Sequence, residues 1–297
     1  RLRRHASLYL ALIVMGAVWG AVFPITKIAV STGYQAYGII VWQSVIGIVL
    51  SGGITLWRGN RLPFSKEYMW LFAGIAFFGS LAPNYFSYTA TAHLPAGIIS
   101  IVIALVPLFA MPISLAMGYE TPSVIRFTGA AFGAVAIVLI AGPSASLPDP
   151  SKVGYLFLAL FAPLFYGVEG NFMTWYGPRG LDPVQILFGA SVIGLLVSVP
   201  IALGFDQFIT PFQPWSAQEW AIFIAAILNW GAYVGFVWLI GRAGPVFSSQ
   251  VAYLVTAWGV VWSMLFLGER YSIWVWAAFV LMLIGVLLVQ PRETVKE

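Results

Sequence analysis

The sequence contains no cysteine. It therefore has no disulfide framework, no thiolate nucleophile and no cysteine-based zinc site. Histidine is nearly absent too. His5 lies in the N-terminal tail and His93 in a connector, so no HExxH pair and no histidine-centred triad can form within a helix. No P-loop, GxSxG or GxGxxG stretch is present, which argues against ATP-driven pumping and against the common catalytic and dinucleotide-binding folds. Charge is the scarcest property. The 14 basic and 10 acidic residues make up 8% of the 297, whereas 61% are hydrophobic. An ordinary soluble domain carries about 25% charged residues. A chain this poor in charge cannot cover a folded surface with polar groups, so its natural solvent is mostly hydrocarbon. A soluble enzyme, a disordered tail and a nucleic-acid-binding module are excluded on that arithmetic. The net charge of +4 is too small for a basic binding patch and reads as membrane orientation.

What the sequence does have is long uncharged runs. Residues 6–26, 28–57, 68–92, 94–119, 127–148, 183–205, 220–241, 243–268 and 271–291 hold no Asp, Glu, Lys, Arg or His, and a tenth run, 153–176, differs only by Glu169. A membrane-crossing helix needs about 20 apolar residues, so ten spanning helices are expected. Turn residues fall between them, as in Gly59-Asn60, Pro148-Asp149-Pro150 and Gly177-Pro178-Arg179-Gly180. The first run follows Arg1, Arg3, Arg4 and His5 but continues to about Val30, too long for a signal-peptide core and without a small-residue cleavage site. The chain starts at Arg1, so at least an initiator Met is expected before it. With a cytoplasmic N-terminus, eleven basic residues (Arg1, Arg3, Arg4, Arg58, Arg61, Lys66, Arg126, Arg179, Arg242, Arg292, Lys296) fall on the inner side, against Lys27, Lys152 and Arg270 on the outer. Both termini are then expected in the cytoplasm.

The two halves resemble each other. A shift of 147 positions brings Gly20 onto Gly167, Gly33 onto Gly180, Trp19 onto Tyr166 and Ser44-Val45-Ile46-Gly47 onto Ser191-Val192-Ile193-Gly194. A shift of 149 brings Ser100, Val102, Leu105, Val106, Ser114 and Glu120 onto identical residues ending at Glu269. The expected fold is an all-α membrane protein of ten transmembrane helices in two inverted five-helix repeats, 1–146 and 147–297, because an odd number of spans turns the second repeat upside down. Transporters use this architecture with the binding site between the repeats.

Several residues could build such a site. Glu169 is the one acid well inside a span, and an ionisable group in hydrocarbon faces a cavity or a partner. It reads as a proton-coupling carboxylate, as a contact for a substrate ammonium, as one half of a structural pair, for which Lys27 is a candidate, or as a carboxylate reaching the cytoplasmic headgroups. Asn84, Asn171, Ser100, Ser249 and Gln250 supply amides and hydroxyls, which equally serve as bonds between helices. Trp19, Tyr85, Tyr88, Tyr166, Trp230, Tyr233 and Tyr253 supply aromatic walls, while Trp215, Trp220, Trp274 and Trp276 read as interfacial belt. Pro24, Pro83, Pro107, Pro112, Pro163 and Pro200 interrupt spans, as hinges or as plain kinks. The GxxxG pairs Gly16-Gly20, Gly129-Gly133 and Gly231-Gly235 point to close packing within one chain rather than to dimerisation.

Trp19-Gly20, Phe23-Pro24 and Lys27 in the first span, Leu94-Pro95-Ala96-Gly97 and Leu105-Val106-Pro107-Leu108-Phe109 in the fourth, Glu120 after it, and Leu267-Gly268-Glu269-Arg270 closing the ninth resemble the EamA-type ten-helix members of the drug/metabolite transporter superfamily. The resemblance spans the whole chain and is strongest to the aromatic amino acid exporters of bacterial inner membranes. It departs at Gln43, where many relatives carry Arg, and at Thr256, opposite Pro107 of the fourth span. It implies export of aromatic and other neutral amino acids, or related metabolites, by alternating access, with a small-molecule substrate, a lipid bilayer around the chain, no nucleic acid, no cofactor and no metal. Efflux of other small metabolites or drugs, or a passive channel, are the alternatives. Drug efflux of the small multidrug-resistance type wants a first-helix carboxylate, and residues 6–26 hold none. The channel wants a polar stripe along one helix, and none is legible. The oligomeric state is open, a monomer included.

Overall fold

The structure is a computed structural model that describes residues 2–243, 248 and 250–289. In hydrocarbon every backbone N–H and C=O must be satisfied within the segment, so the uncharged runs fold as helices. Among the described residues there is no strand, and ten helices follow one another: α1 (Leu2–Val30), α2 (Ala36–Trp57), α3 (Lys66–Thr91), α4 (Ala96–Ala116), α5 (Val124–Ala141), α6 (Pro150–Tyr176), α7 (Pro183–Gly204), α8 (Ala217–Ala243), α9 (Val251–Leu267) and α10 (Ile273–Val289). The first eight contain spans long and apolar enough to cross a bilayer. The last two have 17 residues each, and at about 1.5 Å per residue they sit at the short limit for a span.

Proline sets where the helices are irregular. The α-helical donor to the Gly79 carbonyl would be Pro83, which has no N–H, and α3 widens into a π-turn over Phe77–Leu81 just before it. α4 is interrupted at Ala104 and Leu105, ahead of Pro107, and α6 at Leu160, ahead of Pro163. Pro24, Pro112 and Pro200 are carried inside helices. α9 has Thr256 where α4 has Pro107 and runs unbroken; the Thr256 hydroxyl donates to the Ala252 carbonyl at 3.0 Å.

The helices pack in pairs that exchange under a shift of five helices. α2 packs on α7 and α5 on α10, while α1 contacts α9 and α8, as α6 contacts α4 and α3. Small residues make these approaches possible. A Cβ on Gly20 would stand 2.8 Å from the Gly259 nitrogen, and one on Gly167 would stand 2.9 Å from the Ala110 nitrogen. Gly20 and Gly167 are partners under the 147 shift, Ala110 and Gly259 under the 149 shift. The twin Ser-Val-Ile-Gly stretches meet each other: the Ser191 hydroxyl lies over Gly47 and the Ser44 hydroxyl over Gly194. Gly16 packs on Leu254 of α9, and Gly129 and Gly285 pack on each other's carbonyls. These GxxxG glycines serve contacts inside the chain; Gly231 has open space beside it.

Three apolar clusters result. One joins α4, α5, α6, α9 and α10 around Ile98, Ile101, Ile140 and Met282. A second joins α1, α2, α3, α7 and α8 around Ile40, Leu71 and Phe72. A third, smaller one joins α1, α8 and α9 around Leu12, Leu239 and Val251. Large apolar side chains such as Val49, Trp70, Leu196 and Leu265 cover the outside, as a lipid-facing surface requires.

Candidate functional site: a directed polar chain between α2, α3 and α6

Ser80, Asn84 and Tyr88 recur every four residues and share one face of α3. Asn84 Nδ2 lies 3.5 Å from both Ser80 Oγ and Gln43 Oε1 of α2. Gln43 Nε2 donates to the Tyr88 hydroxyl, and the Tyr166 hydroxyl of α6 donates to Asn84 Oδ1 at 3.1 Å. The bonds therefore run in one direction, Tyr166 to Asn84 to Gln43 to Tyr88. Tyr88 is buried, while Gln43, Asn84 and Tyr166 are half-buried. Phenylalanines also interleave α3 and α6: Phe86 stacks on Phe165 at 5.8 Å and on the exposed Phe161 at 5.0 Å.

Glu169 lies one turn along α6 from Tyr166. Its carboxylate rests on Gly79, in the π-turn of α3, where any Cβ would overlap both oxygens. It is within electrostatic reach of the Tyr166 and Tyr233 phenols. Among the described residues no side chain or backbone donor reaches it, and the one ion pair is between Arg126 and Glu120. A pair with Lys27, one of the alternatives for Glu169, does not form. Lys27 Nζ donates instead to the Thr91 and Leu94 carbonyls, at 2.7 and 3.0 Å. The end of α3 and the turn after it leave the Thr91 and Leu94 carbonyls without a helical partner, and these take the ammonium.

Two further bonds extend the polar region. Trp19 Nε1 donates to Asn229 Oδ1 at 2.9 Å, joining α1 to α8, and Trp230 Nε1 donates to Ser51 Oγ at 2.7 Å, joining α8 to α2. The first joins the pair of helices that the repeat relates to α6 and α3, but through a different position: Trp19 and Tyr166 are repeat partners, whereas the 149 shift places Asn229 on Ser80 and not on Asn84. Tyr233 is half-buried on α8.

Other residues expected at a site lie elsewhere. Asn171 is buried and spends its amide on α4 and its own helix: it accepts from Ser114 Oγ at 2.6 Å and donates to the Ala110 and Gly167 carbonyls. Ser100 is buried against Gly259 and donates to the Gly97 carbonyl at 2.7 Å. Tyr85 points outward and stacks on Tyr37 at 5.4 Å. Gln250 is exposed just before α9. The Tyr253 hydroxyl is buried on α9 without a hydrogen-bond partner among the described residues. Ser249 lies outside the described residues.

Gln43, Ser51, Ser80 and Gly79 were not among the expected site residues. The spacing of four that joins Ser80, Asn84 and Tyr88 was a legible signal, and it corrects the expectation that no helix carries a polar stripe. Gln43 stood out only as a departure from its relatives.

One end of the bundle carries a second charged group. The Glu269 carboxylate, after α9, accepts the Ala96 and Gly97 N–H groups at the start of α4, at 2.7 and 3.1 Å, and the Tyr271 hydroxyl at 2.6 Å. Burial, and then Glu269, push the Tyr271 phenol well above its usual range. A cavity of about 250 Å³ opens here between Lys27, His93, Pro148, Asp149 and Glu269. His93 stacks on Tyr155, and partial burial, with Lys152 and Lys27 nearby, holds its imidazole below the usual value. The Ser151 hydroxyl and backbone N–H hold Asp149 below the carboxylate range. No group of metal-binding side chains occurs among the described residues.

The sequence profile of the EamA-like transporter family matches residues 6–142 and again 153–290. The uncharacterized inner membrane transporter YedA of Escherichia coli K12 is 24% identical over 291 residues, covering 97% of this chain and 92% of that protein. The proteins of the same name in Escherichia coli O6:H1 and O157:H7 match to the same extent. A solved protein crystal structure superposes with a TM-score of 0.62 at 18% identity, covering 95% of this chain and 96% of the other, which shows a shared fold.

Proposed function

The chain belongs to the EamA-like transporter family, and on that premise we propose that it exports aromatic and other neutral amino acids, or related metabolites, from the cytoplasm by alternating access. It is a carrier and not an enzyme. The single observation that carries the substrate reading is the polar chain Tyr166–Asn84–Gln43–Tyr88 beside Glu169, between helices α3 and α6 whose Phe86 and Phe165 rings stack on each other. Amides and phenols with one carboxylate suit a zwitterion, and the stacked rings suit an apolar side chain. A strongly anionic substrate would need buried Lys or Arg, and Lys27 is already committed to carbonyls.

The chain divides at 146/147 into two inverted repeats, supported by the exchange of contacts between Gly20–Gly259 and Gly167–Ala110. It resides in a bacterial inner membrane with both termini cytoplasmic, supported by the basic-residue asymmetry and by the name of its Escherichia coli relatives. The Lys27 end of α1 then faces outward. Substrate contacts fall to Asn84, Tyr88, Tyr166, Glu169 and Tyr233, with Trp19 and Trp230 at the rim; Asn171 and Ser100 hold helices together. A channel would want a polar stripe, and Ser80, Asn84 and Tyr88 form one along α3, but their polar groups are taken up by bonds among themselves and with Gln43 and Tyr166.

The test is counterflow. Liposomes holding the purified protein and unlabelled L-phenylalanine are diluted into labelled L-phenylalanine. A carrier accumulates label transiently above equilibrium. Simple equilibration without overshoot identifies a channel, and no protein-dependent flux rules out this substrate.

A further inference from the structure

We infer that the Glu169–Gly79 contact is a subsite for an organic ammonium cation, so that a protonated amine, rather than a carboxylate or a neutral ring, is what every substrate of this protein must carry. The inference rests on the transport reading and specifies the substrate class of the same site.

Three observations converge. First, Glu169 sits within α6 with no cation or hydrogen-bond donor on it among the described residues, although an ionised carboxylate in such surroundings is costly without one. The remaining titratable groups facing it are the Tyr166 and Tyr233 phenols. Lys27, the one basic residue of the neighbouring spans, is held by the Thr91 and Leu94 carbonyls.

Second, the polar chain is directed. Tyr166 gives its hydrogen to Asn84 Oδ1, and the amides pass the sequence of donors on to Gln43 and Tyr88. The Tyr166 oxygen thus keeps only lone pairs for the Glu169 side. The Glu169 carboxylate and the Tyr166 oxygen supply two kinds of acceptor, against the single hydroxyl donor of Tyr233. An ammonium group carries three N–H donors and one positive charge, which is the complement of that set.

Third, the carboxylate is seated where only glycine permits it. Its oxygens lie over Gly79, and any Cβ there would displace them. Gly79 belongs to the π-turn that Pro83 enforces, so the backbone of α3 is shaped at the point that receives the acid.

Binding by an ammonium alone would admit amines as well as amino acids. The experiment compares L-phenylalanine, phenethylamine and 3-phenylpropionate, which share a phenyl ring on a short carbon chain and differ in the charged groups. Each is tested as a competitor of labelled L-phenylalanine counterflow in liposomes with the full-length protein. L-phenylalanine and phenethylamine are expected to compete, and 3-phenylpropionate to be at least about tenfold weaker, the equivalent of one lost charged contact. Glu169→Gln, near-isosteric, is expected to erase that difference, Glu169→Asp to keep part of it, and Gly79→Ala to weaken both amines together. Thermal melting and gel filtration of each variant show whether it is folded. For a variant that fails to fold, the ranking of the three compounds on the unmodified protein still decides. Equal competition by 3-phenylpropionate and phenethylamine overturns the inference and leaves the transport reading standing. So does a folded Glu169→Gln that keeps the preference for amines but loses its response to a pH gradient, which would make the acid a proton carrier. Absence of any flux overturns the transport reading and the inference with it.

Discussion

The Glu269 carboxylate accepts the backbone N–H of Ala96 at 2.7 Å, so the turn after α9 holds the first residue of α4. Gly97 and Tyr271 donate to the same group, and Lys27 ties the turn before α4 to α1 through Thr91 and Leu94. The first half of α4 is thereby fastened at its start and against α9, while its second half, beyond the interruption at Ala104 and Leu105, is fastened to α6 through Asn171 and Gly167.

Replacing Glu269 by Gln removes the charge that holds two helix-start N–H groups. Hydrogen bonds to charged groups contribute about 1.5–3 kcal/mol each when intact, and the amide keeps part of this. The variant is expected to melt lower and to exchange the amide hydrogens of residues 96–99 faster. Unchanged exchange at these positions, with unchanged melting, would show that the clasp holds nothing.

Glycines separate contact from open space. Gly20→Ala and Gly167→Ala push a methyl into neighbouring backbone and are expected to cost about 1–3 kcal/mol each. Gly53, also in a helix, has nothing within 4 Å of a built Cβ, so Gly53→Ala is expected to be neutral or to stabilise by up to about 1 kcal/mol. Thermal melting of the three variants in one detergent checks the order; equal effects would contradict the packing at Gly20 and Gly167.

Asn84 and Asn171 divide two roles that look alike in the sequence. Asn171→Ala strips α4 and α6 of three bonds and is expected to lower stability by about 2–4 kcal/mol, near the upper end for buried polar losses, with the KM of the surviving protein unchanged. Asn84→Ala breaks the Tyr166–Gln43 link and is expected to raise KM with a smaller loss of stability. The KM ratio and the melting temperature of each variant decide; the reverse pattern would move the site to the α4–α6 seam.

His93 titrates below the ordinary imidazole value because of partial burial, with Lys152 and Lys27 adding to it. The unfolded chain therefore binds the proton more readily than the folded one. The histidine's contribution to stability is present above about pH 6.5 and falls as the pH drops through the folded value. A histidine NMR titration is expected to place the His93 midpoint below the free value, and His93→Phe, which keeps a ring against Tyr155, is expected to flatten this part of the stability profile. A midpoint at or above the free value would contradict this placement of His93, stacked on Tyr155 beside Lys152 and Lys27.

Much of this architecture is legible in the residues, for physical reasons. Charge is so costly in hydrocarbon that its absence marks the spans, although several helices, α2 and α4 among them, are shorter than their uncharged runs. The glycines matched by the 147 shift could be found because close helix approach tolerates almost nothing else. Proline signalled the interruptions in α3, α4 and α6, but not which helices would carry one unbroken, since that depends on neighbouring packing. Side-chain bonding was the least legible. The Asn171 amide and the Asn84 amide are the same group in the same kind of segment, and only the facing helix decides that one is consumed by carbonyls and the other joins Gln43 and Tyr166. Lys27 shows the same limit: the sequence allows a pair with Glu169, yet its ammonium is taken by the carbonyls of Thr91 and Leu94, at the end of α3 and in the turn after it.

The central claim is that substrate passes at the α3–α6–α8 polar region and reaches it from alternate sides. Cysteine is naturally absent, so Tyr233→Cys, combined with a fold and activity check, offers a single reporter there. Its labelling by a membrane-impermeant maleimide is measured from each side of the membrane, with and without L-phenylalanine. The account predicts that L-phenylalanine slows labelling in a saturable way and shifts the ratio of outer to inner access. Labelling from both sides at once, or rates indifferent to L-phenylalanine at concentrations that support counterflow, would contradict it.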